Sequence, residues 1–305
     1  MLEMFFAPRS VAVVGAAREP GKLGYDVLNN VLQYGFQGQV YPINPKATEI
    51  LGLRSYPTVL DVPGPVDLAV IVVPNRFVPE VIDQCGRKGV KGAVIISAGF
   101  KEAGLEGVKL ERQVVATAKH YGLRIVGPNC LGVIDTVQSL NASFAAGMPP
   151  RGTIAFMSQS GALCTAVLDW ALANHIGFSY FVSLGNKSDV DEVDLMEAWD
   201  GDSNSRVMIA YVEGLRDGLG DFRGRHVLIV DDILDTGLTL ASVRDRLRAL
   251  GARSVRICVL LNKRKPRTRR VRADWSAFEI EDEFVVGYGL DYDGRYRELP
   301  NIHVC

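Results

Sequence analysis

Two apolar runs in this chain stop on acids. In VMIAYVEG (207–214) the run stops at Glu213. In HVLIVDDILDTGLTL (226–240) it stops at Asp231 and Asp232, and Asp235, Thr236, Gly237 and Thr239 follow. Adjacent carboxylates delivered by a buried strand can accept both hydroxyls of a ribose and help hold Mg²⁺. N–H groups and threonine hydroxyls at the start of the next helix can cup a 5′-phosphate. An ordinary Asp-capped strand-to-helix turn is the alternative reading of the string. Near the N-terminus, VVGAAREPGKLG (13–24) places Gly15, Gly21 and Gly24 between an apolar run and a helical pattern. Glycines there let the backbone approach phosphates, and the helix start supplies N–H groups and a positive dipole end. A tight turn with no ligand is the alternative. The spacing is not GxGxxG, and the next strand ends in Asn44-Pro45-Lys46. An acid there would suit a free ribose hydroxyl and a lysine a phosphorylated ribose, which favours CoA or NADP over NAD.

The elements that must carry these residues alternate. SVAVVG, QVYPINP, VDLAVIVVP, GAVIISAG and LRIVGPN read as strands, with helical patterns such as YDVLNNVLQYG, VPEVIDQCGRKG and KLERQVVATAKHYG between them. These strands are apolar throughout, so helices should cover both faces of a parallel sheet, with ligands at its carboxyl edge. SLNASFAAGMPPRG (139–152) reads as a linker. A second α/β set runs from TIAFMSQSG through FSYFVSLGN to VMIAYVEG, and a third from HVLIVDD through LTLASVRDRLRALG to SVRICVLLNK. From Asp274 onward the chain is aromatic-rich and reads as irregular.

With 305 residues, 48% hydrophobic and 23% charged, the chain has room for two or three domains. A net charge of −1 gives no global pull to nucleic acid or membrane. The basic run NKRKPRTRRVR (262–272) reads first as a solvated loop, with nucleic-acid contact the lesser alternative. Five scattered cysteines without a CxxC suggest reduced thiols and a cytoplasmic location. No basic-then-apolar leader opens the sequence, and no run is long enough for a membrane helix.

The ordered motifs SVAVVGAAREPGKLGYDVLNNVL, VYPINPK, DLAVIVVP, GAVIISAGFKE, RIVGPNCLGV, IAFMSQSGAL, VSLGNKSDVDEVD and YVEG resemble the CoA-binding subunit of ADP-forming acetate–CoA ligases, relatives of the succinyl-CoA synthetase alpha subunit. The resemblance spans about residues 4–216. It implies that Gly15, Lys22, Leu23 and Gly24 line the phosphates of CoA and that Asn44 and Lys46 meet its ribose-phosphate end. Val73, Pro74, Ser97 and Ala98 would flank the pantetheine arm, and Asn129 the thiol end. Ser158, Ser160 and Gly161 would cradle the phosphate of a phosphohistidine, and Glu213 would orient that histidine. Read on its own, Ser158-Gln159-Ser160-Gly161 is also an N-cap turn. The chain departs from the pattern after YVEG. Its histidines are His120, His175, His226 and His303. None lies where the family carries its phosphorylated histidine, so ligase turnover, which also needs an ATP-grasp part, is not expected.

HVLIVDDILDTGLTL, with SVRICVLLNK, AFEIEDEFVVGYGLDY and RYRELP, resembles the C-terminal half of hypoxanthine-guanine phosphoribosyltransferase, over about residues 219–305. The resemblance implies that Asp231 and Asp232 hold the ribose hydroxyls, Asp235 acts as acid/base near the purine, and Thr236, Gly237 and Thr239 bind the 5′-phosphate. Lys263 would meet the purine oxygen, Phe284 stack on the base, and Val285 pair with its edge. Asp291, with Asp231 and Asp232, would serve Mg²⁺, and Arg297 the diphosphate. The family's N-terminal half, with the loops that grip diphosphate and shield the reaction, has no counterpart in residues 1–216.

The resulting expectation is an α/β protein: a Rossmann-like CoA-binding domain (1–138), a truncated flavodoxin-like ligase domain (150–216) and part of a type I phosphoribosyltransferase domain (219–305). The last two are expected to form a composite parallel α/β domain, with VMIAYV and HVLIV free to share one sheet. Three functions stay open. The chain is a CoA- or acyl-CoA-binding module, a purine-salvage transferase using phosphoribosyl diphosphate with Mg²⁺, or a non-functional chimera. Its expected partners are small molecules, with neither nucleic acid nor membrane. Truncated apolar faces invite homo-oligomers.

Overall fold

The computed structural model describes residues 2–212, 222–267, 269–287 and 301–305, in two compact units, Met1–Arg216 and Asp217–Cys305. The first unit opens with α1 (Glu3–Phe6), β1 (Ser10–Val14), α2 (Leu23–Gln33) and β2 (Gln39–Ile43). A short hairpin follows, β3 (Glu49–Ile50) with β4 (Leu53–Arg54). Next come β5 (Leu68–Ile71), α3 (Val78–Lys88), β6 (Gly92–Ile95), α4 (Leu105–Tyr121) and β7 (Arg124–Val126).

The first sheet runs β2-β1-β5-β6-β7 and is parallel throughout. Every residue of β1, β5 and β6 is buried, as strands covered on both faces require. The two-residue period of β1 divides the core. Val11 and Val13 pack with Val27, Leu28 and Val31 of α2, whereas Ala12 and Val14 pack with Val78 and Ile82 of α3 and Val114 of α4. Successive connections leave β1 in opposite directions, to β2 on one side and β5 on the other, so the switch point lies at the carboxyl end of β1.

The second sheet of this unit contains β8 (Gly132–Asp135), β9 (Leu140–Ser143), β10 (Arg151–Ser158), β11 (Phe178–Ser183) and β12 (Val207–Tyr211). Helix α5 (Gly161–Ala173) follows β10, and α6 (Glu192–Trp199) follows β11. The strand order is β12-β10-β11-β8-β9, with β10 parallel to both neighbours and the β11–β8 and β8–β9 pairs antiparallel. This corrects the linker expected over 139–152. All four residues of β9 are buried, and Asn30 of α2 donates to the carbonyls of Ser143 and Ala145, at 2.9 and 2.8 Å. A run of small and polar residues reads as linker in sequence. Here its backbone is satisfied by a neighbouring strand and by a buried asparagine.

The second unit holds β13 (His226–Leu234), α7 (Leu238–Ala249), β14 (Ser254–Lys263) and β15 (Trp275–Ile280), with β13-β14-β15 parallel. A two-stranded antiparallel pair, β16 (Val285–Val286) with β17 (His303–Val304), completes it. The stretch after Asp274 is therefore not irregular at its start. β12 belongs to the β12-β10-β11-β8-β9 sheet and β13 to the β13-β14-β15 sheet. Leu240 and Ala241 of α7 pack on Ile257 and Val259 of β14. On the opposite face Leu228, Val230 and Trp275 are exposed, at 54%, 72% and 55%. Val230, Cys258 and Trp275 are in register there. No helix among the described residues is long and apolar enough to cross a membrane.

Candidate ligand sites

The residues expected to hold CoA gather at the carboxyl edge of the first sheet, just beyond its strands or at the start of α2. Gly15 follows β1 with φ +96°, a conformation open to glycine, and its N–H donates to the Ile43 carbonyl at 3.0 Å. A Cβ on Gly15 would meet Val73 Cγ1 at 3.0 Å, so β1 and β5 close tightly beneath the crevice. α2 begins at Leu23 with no side-chain cap from Lys22, and its start faces the same edge as an anion-receptive helix N-terminus. Lys22 pairs with Glu19 at 3.0 Å, but both side chains are largely exposed, and such pairs hold a lysine weakly. Asn44, after β2, donates to the Ala16 carbonyl at 2.7 Å and accepts from the Lys46 N–H at 2.8 Å, fixing the turn that presents Lys46 to solvent. Beyond β5 and β6, the buried Ser97 hydroxyl donates to the Val73 carbonyl at 2.6 Å, with Pro74 and Ala98 exposed alongside. The Asn129 N–H, after β7, donates to the Ser97 carbonyl at 3.0 Å.

Sequence reasoning missed the polar cluster beside Asn129. The Asn186 amide donates to Glu102 at 2.6 Å and to Glu111 at 2.8 Å, and its oxygen lies 3.4 Å from the Asn129 amide nitrogen. The Ser188 hydroxyl donates to Glu111 at 2.6 Å, and Lys101 donates to the Asn186 carbonyl. Hydrogen bonds from Asn186 and from the Gly99 and Phe100 N–H groups outweigh the burial that opposes them, and hold Glu102 below the usual carboxylate range. The available signal was Glu111, an acid on the buried side of a helical pattern. Cys130, also close by, has its thiol pushed up to about 12 by burial, which makes it an inert core group.

In the second sheet Ser158 is fully buried, and its hydroxyl donates to the Ser160 carbonyl and accepts from the Ser160 N–H, both at 3.0 Å. The Ser160 side chain caps α5 by accepting from Leu163 N–H at 3.2 Å, so the N-cap reading of SQSG is realised. A Cβ on Gly161 would meet nothing within 4 Å, so the helix start remains open. His175 lies just past the far end of α5, about 20 Å from Ser160 along the axis. Glu213 lies outside the described residues.

In the second unit, Asp231 and Asp232 lie near the carboxyl end of β13. Burial, then the neighbouring Asp232 carboxylate, raises the pKa of Asp231. Lys263 is buried at the end of β14 and pairs with Asp235 at 3.2 Å, while Lys265 pairs with Asp235 at 2.6 Å. The Lys265 hydrogen bond, helped by Lys263, draws Asp235 below its usual range. Gly237 caps α7 at φ +77°, with Thr236 and Thr239 exposed beside it. The structure thus brings together Asp231, Asp232, Asp235, Thr236, Gly237, Thr239 and Lys263 at one sheet edge. Val285 is buried in β16, and Phe284 is 48% exposed next to it. Asp291 and Arg297 lie outside the described residues. Among the described residues no group of three or more histidines, cysteines or acids is placed to hold a metal. Asp231 and Asp232 place two adjacent carboxylates near the carboxyl end of β13.

Fold and sites together define a Rossmann-like CoA-binding region followed by a flavodoxin-like one, with a separate phosphoribosyltransferase-like α/β unit. Residues 9–136 match the CoA binding domain family, and residues 151–223 match the succinyl-CoA ligase like flavodoxin domain. The chain is 52% identical over 217 residues to an ADP-forming acetate–CoA ligase I of Archaeoglobus fulgidus, covering 71% of this chain and 31% of that protein. It superposes on the dinucleotide-forming acetyl-coenzyme A synthetase 1 of Ca. Korarchaeum cryptofilum, solved with phosphate and ADP, with TM-score 0.70 and 42% identity, covering 85% of this chain and 51% of that one. Another segment is 55% identical over 83 residues to the hypoxanthine phosphoribosyltransferase of Haemophilus influenzae, covering 27% of this chain and 46% of that protein. The chain joins about 220 residues of the acetate–CoA ligase alpha type to a hypoxanthine phosphoribosyltransferase segment: it is a chimera of two families. It spans less than half the length of either of these two curated relatives.

Proposed function

We propose that the chain is a CoA-binding module that does not itself turn over acyl-CoA. The supporting observation is the crevice at the β1 switch point, where Gly15, the uncapped start of α2, Asn44, Ser97 and Asn129 share one edge. A chain of small residues there admits a diphosphate at the helix start and a thin pantetheine arm along the strand ends. CoA, once bound, would supply the thiol. The chain's own residues bind and orient it, with Gly15 and the α2 N–H groups at the phosphates, Lys46 at the ribose phosphate and Asn129 at the thiol end. Turnover would need a phosphorylated histidine against Ser160 and Glu213, and His175, the histidine nearest to Ser160 in sequence, lies past the far end of α5.

Calorimetric titration with CoA tests this. Saturation near one CoA per chain, with a raised melting temperature, is the expected result. A cooperatively folded sample that neither binds nor shifts overturns it.

A second reading has its own observation: Lys263 beside Asp235 at the end of the Asp231–Asp232 strand. In that reading the second unit transfers phosphoribose from its diphosphate, with Mg²⁺, to a hypoxanthine-type purine. Asp235 would hold or move the proton at the purine nitrogen. A hypoxanthine-dependent release of diphosphate that Asp235→Asn abolishes would support it, and activity surviving that substitution would belong to a contaminant.

A further inference from the structure

The second unit contains a cleft of about 840 Å³ alongside α7. Its walls are the last turns of α7, the start of β14 and the segment from Lys265 to Asp274. Nine of its lining side chains are cationic, and Asp274 is its only acid. The nearby carboxylates are already committed. Asp274 holds Arg256 at 2.7 Å, and Asp245 serves both Arg244 at 2.7 Å and Arg269 at 3.5 Å. Asp235 takes Lys265. Among the described residues no carboxylate lies within ion-pair distance of Arg253, Arg270 or Arg272. Guanidinium groups cannot shed their charge near neutral pH, so this excess persists and repels itself.

We propose that this cleft is a binding site for a compact oligophosphate. Arginine forks match phosphate oxygens two at a time, and a clustered set favours a ligand with several adjacent phosphates over one with a single charge. The volume lies within the roughly 300–1,000 Å³ usual for small-molecule sites. No aromatic side chain lines the cleft, so it offers no platform on which nucleic-acid bases stack. Val255, Ile257 and Val271 form its apolar floor. Thr236, Gly237 and Thr239 do not line the cleft, although its wall touches their loop: Arg267 donates to the Asp235 carbonyl at 3.3 Å, and a Cβ on Gly237 would meet Val271 at 2.4 Å.

The test is titration of the full chain with tripolyphosphate, with ATP and single-stranded RNA as parallel arms. Tripolyphosphate should bind and raise the melting temperature. Arg253→Glu with Arg272→Glu should weaken it by at least about tenfold, whereas Thr236→Ala should leave it unchanged. ATP binding no tighter than tripolyphosphate would identify the free phosphate chain as the ligand. Tighter ATP binding, still lost in the Arg253/Arg272 variant, would identify a nucleotide's phosphate tail, the same chemistry from another source. On the unaltered protein, tripolyphosphate should protect Arg253 and Arg272 from phenylglyoxal, as mapped by mass spectrometry, which does not depend on the variant folding. Absence of binding, protection elsewhere, loss through Thr236→Ala, or RNA displacing tripolyphosphate at equal phosphate concentration would each overturn the proposal.

Discussion

A Cβ placed on Gly24 would lie 2.0 Å from the carbonyl oxygen of Gly15. The first turn of α2 is therefore seated directly on the end of β1, and that contact aims the helix start at the crevice. Gly24→Ala must push the two backbones apart. The expected loss is about 1–3 kcal/mol of stability, together with weakened CoA binding. Gly21 is the control: it has φ +81° but nothing within 4 Å of an added Cβ. Gly21→Ala should cost only the strain of a left-handed alanine, about 1–2 kcal/mol, with less effect on CoA. Thermal melts and calorimetry read both, and equal CoA affinity in Gly24→Ala and the unaltered chain would refute the seating role.

Asp135, at the end of β8, is 1% exposed. One carboxylate oxygen accepts from the Val137 and Gln138 N–H groups at 2.7 and 3.0 Å, and the other has no partner. Burial dominates and raises its pKa to about 6. A carboxyl with a raised folded pKa binds its proton more readily when folded. Its contribution is thus most favourable below the unfolded value near 4 and is lost as pH rises to about 6. Asp135→Asn keeps the accepting oxygen and removes the charge. It should flatten that loss and stabilise the fold above pH 6 by up to about 3 kcal/mol. Denaturant melts at pH 4 and pH 7 check this; a variant that is destabilised equally at both would show that the carboxylate itself is needed.

The first sheet was legible because β1, β5 and β6 are apolar without interruption, and Gly15 after β1, Ser97 after β6 and Asn129 after β7 could be placed at strand ends without tertiary information. The polar cluster around Asn186 was not legible, because its acids, Glu102 and Glu111, come from a turn and a helix some 80 residues away in sequence. β9 was hidden for a similar reason: Leu-Asn-Ala-Ser has no strand pattern of its own and is held by β8 and Asn30. The separate sheets of β12 and β13 follow from pairing partners, which periodicity does not specify.

Asp235 is the acid whose charge state the second unit controls most visibly. Lys265 lies 2.6 Å away and Lys263 3.2 Å. The Lys265 hydrogen bond is the larger cause of the lowered pKa. Lys265→Ala should therefore return Asp235 toward its ordinary range, and Lys263→Ala should do so less. A carboxylate with a depressed folded pKa contributes stability above its unfolded value and loses it as pH falls through the folded one. Carboxyl-selective NMR titration over the acidic range measures the shift directly. An unchanged Asp235 titration in Lys265→Ala would mean that the pair does not persist in solution.

The two faces of the β13-β14-β15 sheet differ in what substitution should cost. Ile257, 1% exposed, packs under α7, so Ile257→Ala should destabilise the unit by about 2–5 kcal/mol. Leu228 and Val230 on the other face are largely exposed, and Leu228→Ser with Val230→Ser should change stability by no more than about 0.5 kcal/mol each. An apolar face of this kind drives association when nothing covers it, so the same double variant should shift the chain toward monomer in sedimentation velocity. If it instead unfolds the unit as Ile257→Ala does, the face is buried in solution and its exposure does not describe the working protein. If stability and association are both unchanged, the face is not what holds copies of the chain together, and the self-association expected from the sequence must be sought elsewhere.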